Sequence, residues 1–266
     1  MTMEQLEQEF PQLQSALKSF ILRMTASVQD AEDIVQETYL KARNSINSFR
    51  GESSLKTWLF AIGANLARDL LRQRKRWPEN VTDICKDAAL GNPEFFQEAM
   101  AIRHNSPQGE FEIKEHVAFC LTCVAKSLPL EQQLVLMLRE VYRFSTRETA
   151  QIIDQSEAMV KYHLHEARQT MIAIFDRRCA LINKAGICHQ CTELNGIFNP
   201  KQDTQVELIK LKLVRDAEKG DKEALFDLRL QILQELDPFD SGAAALQLHH
   251  LEHNRQVMAR YLGEDI

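Results

Sequence analysis

Two cysteine pairs stand out among the residues able to do chemistry: Cys120-Leu121-Thr122-Cys123 and Cys188-His189-Gln190-Cys191. Thiolates at this spacing suit a four-sulfur zinc site on Cys120, Cys123, Cys188 and Cys191, because each pair can present two sulfurs to one tetrahedral ion. The 64 residues between the pairs far exceed the span of a compact zinc ribbon. His116 precedes Cys120 by four residues, and on a helix His116, Cys120 and Cys123 lie within about 60° of one another. His116 is therefore the alternative ligand. Buried free thiols and a redox-switched disulfide within a pair are the competing readings. The pair His249/His253 reads as an exposed helix face.

Two further patterns point to nucleic acid. The run Phe49-Arg50-Gly51-Glu52 to Lys75-Arg76 sets Trp58 and Phe60 beside a basic helix with Arg68, Arg72, Arg74, Lys75 and Arg76. Aromatic rings stack on bases and cations track the backbone of a single strand, although core aromatics beside a solvated basic face give the same pattern. Further on, Ser145-Thr146-Arg147-Glu148 is a capping box, a break follows at Asp154-Gln155, and Ser156 is a second cap. Two short capped helices around a tight break form a helix-turn-helix. In the second helix the stripe Val160, Leu164, Ala167 and Met171 faces inward. Lys161, Tyr162 and His165 then face outward with Arg168 on the flank. Lys161 and Arg168 suit phosphates, and Tyr162 and His165 suit phosphates or base edges.

These patterns must be positioned by helices. The 266 residues hold only 9 Gly and 7 Pro, too few for the turns of a sandwich or barrel, and 44% hydrophobic content supports a real core. The fold class expected is all-α: two helical domains joined by a flexible acidic linker, plus a helical C-terminal extension. Net charge is +2 over residues 1–78 and −4 over each of 79–178 and 179–266. With −6 for the whole chain, nucleic-acid binding has to rest on local patches. Asp30 is expected to cap a helix through Ile34, Thr38 and Ala42, and Ser53 or Ser54 the next. Residues 79–112 carry breakers and acids and read as a linker with at most short helices. Residues 113–178 hold the helix-turn-helix domain. In 179–266, an irregular cysteine segment precedes three helices, started by Thr204/Glu207, Asp221 and Ser241. The helix from His116 to Leu128 packs through Val117, Leu121, Val124 and Leu128, which places the Cys120/Cys123 pair about a quarter-turn off its core stripe.

The residues then resemble a family. Asp30-Ala31-Glu32-Asp33-Ile34-Val35-Gln36-Glu37, followed by the Phe49-Arg50-Gly51-Glu52 stretch, resembles the second region of bacterial RNA polymerase sigma factors of the extracytoplasmic-function type. Leu128-Pro129-Leu130-Glu131-Gln132-Gln133, followed by the helix-turn-helix, resembles their fourth region. The two matches stand in the family's order and cover residues 10–77 and 113–178.

The resemblance implies a sigma factor that directs the core polymerase to particular promoters and initiates transcription, with core RNA polymerase, promoter DNA and an anti-sigma protein as partners. It implies that Asp33, Gln36 and Glu37 dock on the core enzyme. It implies that Asn44, Phe49 and Trp58 capture bases of the −10 element while Asn65, Arg68, Arg72 and Arg76 track the same DNA. The helix beginning at Ser156 would enter the major groove of the −35 element. His116, Cys120 and Cys123 also resemble the zinc motif of the family's anti-sigma partners. Glu166, Met159 and Tyr162-His163 depart from the family's commoner residues and bear on which side chains read bases.

The alternative is a zinc- or thiol-redox-responsive regulator acting by protein interaction, with the helix-turn-helix serving only packing. No phosphate loop, nucleophile elbow or HExxH motif occurs, so no enzyme is expected. The acidic N-terminus and the lack of an apolar run near ~18 residues predict a cytoplasmic protein with no membrane segment.

Overall fold

The computed structural model describes residues 2–105, 113–179, 186–188, 221–242 and 244–264. The regular elements among them are helical. They are α1 (Met3–Thr25), α2 (Val28–Asn44), α3 (Leu55–Arg72), α4 (Val81–Leu90), α5 (Pro93–Asn105), α6 (Ile113–Ala125), α7 (Leu130–Leu136), α8 (Thr146–Ile153), α9 (Glu157–Arg178), α10 (Lys222–Glu235) and α11 (Ala244–Leu262). A π-helical turn covers Met137–Val141, and an isolated bridge pairs Cys179 with Cys188. None of these helices is long and apolar enough to cross a membrane.

The chain divides into two compact units. The first holds Met1–Arg76 and Leu128–Ala167, so both sequence patterns that point to DNA contribute to it. Thr2 and Gln5 form a capping box that starts α1. Ser27, not Asp30, caps α2: its Oγ accepts from the Asp30 N–H at 3.1 Å. The chain arrives there through Ala26 in the left-handed region, so the cap stands three residues before the acidic run begins at Asp30. Ser54 caps α3. Gly63 lets α3 approach α1, since a Cβ there would stand 2.9 Å from Leu17 Cδ1. α3 packs on α1, α2 and α8. Phe20, Phe60 and Phe144 are fully buried at the centre, and the Tyr142 ring meets Phe20 edge-on at 5.4 Å.

The second unit holds Trp77–Ser127 and Arg168–Ile266. Here the stretch expected as a linker is helical over α4 and α5, and both pack against α11. Val81, Cys85, Phe95 and Ala99 supply the buried positions that its breaker-rich, acidic sequence conceals. α6 is buried almost all round, because α4, α10 and α11 all contact it. Cys123 is thus 0% exposed, in contrast to its expected place beside the core stripe. An all-round apolar helix is buried on every side, and a one-stripe reading understates it. In α10, Leu225, Phe226, Leu230, Ile232 and Leu233 face the core, while Leu228 and, just beyond the helix, Leu236 are half-buried. The last helix starts at Ala244, three residues after Ser241. The helix expected from Thr204/Glu207 lies outside the described residues, as does Cys191.

Candidate nucleic-acid and polymerase interface

On α2 the apolar face Ala31, Ile34, Val35, Thr38 and Ala42 turns inward, which leaves Asp33, Gln36 and Glu37 on the exposed face. Around them, Glu32 pairs with Lys18 at 2.9 Å and Glu37 with Lys41 at 3.9 Å. The three residues expected to dock on the polymerase therefore share one open, acidic surface.

Asn44 is exposed at the end of α2. Phe49 and Trp58 are half-buried, their ring centroids 5.0 Å apart and tilted by 49°. Gly51, at φ +73°, turns the chain between them. Asn65 and Arg72 on α3 are exposed. Arg68 and Arg76 are turned inward, against the expectation that both track DNA. Arg68 Nη2 donates to the Ile153 carbonyl at 3.0 Å, and its Nε lies 3.7 Å from Glu131. Arg76 Nε donates to the Leu128 carbonyl at 2.7 Å and its Nη2 to Gln133 Oε1. Burial lowers the Arg76 pKa to about 10, which leaves it charged at neutral pH. Two backbone carbonyls, the Glu131 carboxylate and the Gln133 amide oxygen of the helix-turn-helix half occupy these two cations.

Gln133 is a hub that sequence reasoning passed over. It is fully buried, accepts from Arg76, and its Nε2 donates to the carbonyls of Arg23 and Met24 at 3.3 and 3.4 Å. Only its polarity amid Leu130, Leu134 and Val135 hints at this. Lys56 was also missed. Its Nζ sits 4.5 Å over the Phe144 ring and donates to the Tyr142 carbonyl at 3.5 Å.

The helix-turn-helix forms as the caps dictate. Ser145 and Glu148 satisfy each other's N–H groups at 2.8 and 3.1 Å. Those bonds from Ser145, with a lesser one from Thr57, hold the Glu148 carboxyl below the usual carboxylate range. Asp154 takes the left-handed turn at φ +53°, and the Met159 N–H donates to Ser156 Oγ at 3.2 Å. Lys161, Tyr162 and His165 are exposed on α9, while Val160 and Ala167 are buried. Arg147 on α8 is a further exposed cation of this half.

Two family models match: Sigma-70 region 2 over residues 10–76 and Sigma-70 region 4 over residues 118–171. The extracytoplasmic-function RNA polymerase sigma-E factor of Haemophilus influenzae is 31% identical over 150 residues, 56% of this chain and 76% of that one. The chain belongs to the extracytoplasmic-function sigma factors. The RNA polymerase sigma-H factor of Pseudomonas aeruginosa is 26% identical over 158 residues, 59% of this chain and 79% of that one. The solved sigma factor RpoE of Bartonella quintana, in complex with the anti-sigma factor NepR, aligns at 22% identity with a TM-score of 0.44, over 65% of this chain and 98% of that one. This sigma factor directs RNA polymerase to promoters, so its partners are the polymerase and promoter DNA.

In this sigma factor's second unit, Arg168 is paired with carboxylates: Nη2 lies 2.9 Å from Glu223 and 2.7 Å from Asp227. The cysteines divide. Cys120 is half-buried, while Cys123 accepts from Asn254 Nδ2 at 3.6 Å in the core. Burial raises the Cys123 pKa to about 12 and pushes the Cys85 thiol higher still. Cys188 pairs through its backbone with Cys179. Among the described residues, no three His, Cys, Asp or Glu side chains are grouped to hold a metal ion. His116 is buried, with its pKa lowered to about 4 by desolvation.

Proposed function

We propose that the exposed face of α2, with Asp33, Gln36 and Glu37, is the dock for core polymerase, and that the Phe49/Trp58 pair with Asn44, Asn65 and Arg72 holds the opened −10 element. Lys161, Tyr162 and His165 of α9 enter the −35 groove. The observation that carries this division is that Asp33, Gln36 and Glu37, the trio Asn44, Asn65 and Arg72 beside the half-buried Phe49/Trp58 pair, and Lys161, Tyr162 and His165 are exposed while the apolar residues of their helices turn inward. The protein acts by binding, in the cytoplasm, and not by catalysis. Run-off transcription with purified core polymerase tests it. Transcripts that depend on this chain are expected; a chain that binds core polymerase yet directs no initiation refutes the promoter assignment.

The first unit is a closed form of this machine. Elements about 25 base pairs apart on B-form DNA are separated by roughly 85 Å. α3 and α8, packed together in one unit, cannot reach both. Engagement therefore requires Arg68 and Arg76 to leave Ile153, Glu131, Leu128 and Gln133, which exposes them to phosphate as the partner half moves away. A four-thiolate zinc site on Cys120, Cys123, Cys188 and Cys191 would likewise require Cys123 to leave Asn254 and the core. Metal analysis of reduced protein decides that: one zinc per chain, lost in Cys120→Ser and Cys188→Ser, supports the site.

A further inference from the structure

The C-terminal extension brings acid to the side chains of α9. Glu223 and Asp227 are four residues apart on α10, one above the other on the same helix face. Both accept from a single nitrogen of Arg168, at 2.9 and 2.7 Å, and Glu223 also accepts from Gln169 Nε2 at 3.2 Å. Arg168 keeps only 19% of its side chain exposed, whereas the two carboxylates are 53% and 60% exposed. Under the guanidinium lies the fully buried ring of Phe226, 5.4 Å from the Arg168 Cζ. Lys222 completes the attachment by pairing with Asp176 at 2.6 Å. An arginine held over an apolar ring and bracketed by two carboxylate oxygens has the electrostatic surroundings that two phosphate oxygens would supply.

We propose that α10 is an acidic mask carried by the protein itself. Glu223 and Asp227 occupy Arg168 and Gln169 in place of DNA phosphates, so the extension competes with promoter DNA for the flank of the −35 helix. The apolar anchor on Phe226 sets the register, and the open carboxylates make the contact reversible by salt or by a competing polyanion. Local charge thereby gives residues 221–235 a regulatory task that does not require them to touch polymerase. The proposal rests on α9 being the duplex-reading helix.

The test is binding of the full chain to a short mixed-sequence DNA duplex as a function of salt. Each added phosphate contact steepens the slope of log K against log salt by about 0.9, which corresponds to roughly 5- to 10-fold in affinity at 0.1 M. The Glu223→Gln/Asp227→Asn double variant is expected to bind about 5- to 10-fold tighter with a slope steeper by about one contact. Adding Arg168→Ala to it should remove the gain, and Asp227→Glu should keep the mask. Both carboxylates are half-exposed, and an unchanged melting temperature will verify that the fold is retained. Lys161→Ala separates the two ideas. If it weakens binding in the wild type while the double variant binds like the wild type, the mask is wrong. If Lys161→Ala changes nothing in either background, the duplex-reading assignment of α9 is wrong instead.

Discussion

Arg68 donates through Nη2 to the carbonyl of Ile153 at 3.0 Å, so a cation of α3 caps the C-terminal end of α8. The last carbonyls of a helix carry partial negative charge and lack intrahelical partners, which makes them a natural seat for an arginine. The pair joins residues 85 positions apart and holds the two promoter-binding halves of the first unit together.

Arg68→Ala should therefore destabilise the free protein by about 1–3 kcal/mol, the range for a lost hydrogen bond from a charged donor. Arg72→Ala, exposed one turn further on, should stay within about 0.5 kcal/mol. Denaturant melts of the two variants decide it; equal losses would show that Arg68 contributes nothing to closure.

Trp58→Ala removes one ring of the Phe49/Trp58 pair without touching α2. Core-polymerase affinity should be unchanged, while open-complex formation falls by the ~1–3 kcal/mol of a lost base stack. Permanganate footprinting reads this, and full melting by the folded variant would exclude Trp58 from base capture.

Charge reversal on the acidic face of α2 gives the opposite pattern. Asp33→Lys with Glu37→Lys should weaken core-polymerase binding at least tenfold and leave the melting temperature within a degree or two, because both side chains are exposed. Retained affinity in a co-purification assay would move the dock elsewhere.

The second unit should be acid-sensitive. His250 lies among Phe95, Phe119 and His249, and burial, with smaller contributions from His249, His116 and His253, lowers its pKa to about 3. Burial lowers His116 to about 4 and pulls His253 down as well. Below the ordinary histidine pKa of 6.5 the unfolded chain binds protons that the folded one refuses. Stability is full above pH 6.5 and is lost as the pH falls towards 4, on the order of 1 kcal/mol per pH unit for each histidine. Melting curves between pH 7 and 5 should show this slope, and His250→Phe should flatten it.

Thiol chemistry should discriminate among the cysteines. Iodoacetamide needs a thiolate and access. Cys120 should react in the native protein, whereas Cys85 and Cys123, raised by burial, should react only on unfolding. Mass spectrometry of the modified chain reads the sites directly, and native labelling of Cys123 would contradict its packing beside Asn254.

The all-α class, the capping box at Ser145/Glu148, the break at Asp154 and the open faces of α2 and α9 were legible in the sequence. Caps and helical periodicity act over a few residues, so Ser54, Ser145 and Ser156 carry their signals locally. The two family motifs were legible for the same reason: each is a contiguous run. What the sequence could not decide was which partner each charge meets. Arg68, Arg72, Arg76 and Arg168 read alike as cations on polar helix faces, yet tertiary packing leaves Arg72 exposed at the edge of Glu131, seats Arg68 and Arg76 on groups at least 52 residues away, and gives Arg168 to Glu223 and Asp227. The burial of Cys123 and the helices in residues 79–105 are of the same kind. Cys85 and Phe95 have little apolar periodicity around them and Cys123 lies beside the stripe of its helix, and the burial of all three depends on α11, whose residues begin more than a hundred positions further along the chain. A single stretch of sequence encodes which face of a helix is apolar, whereas the surface that comes to cover that face is chosen only when distant helices meet.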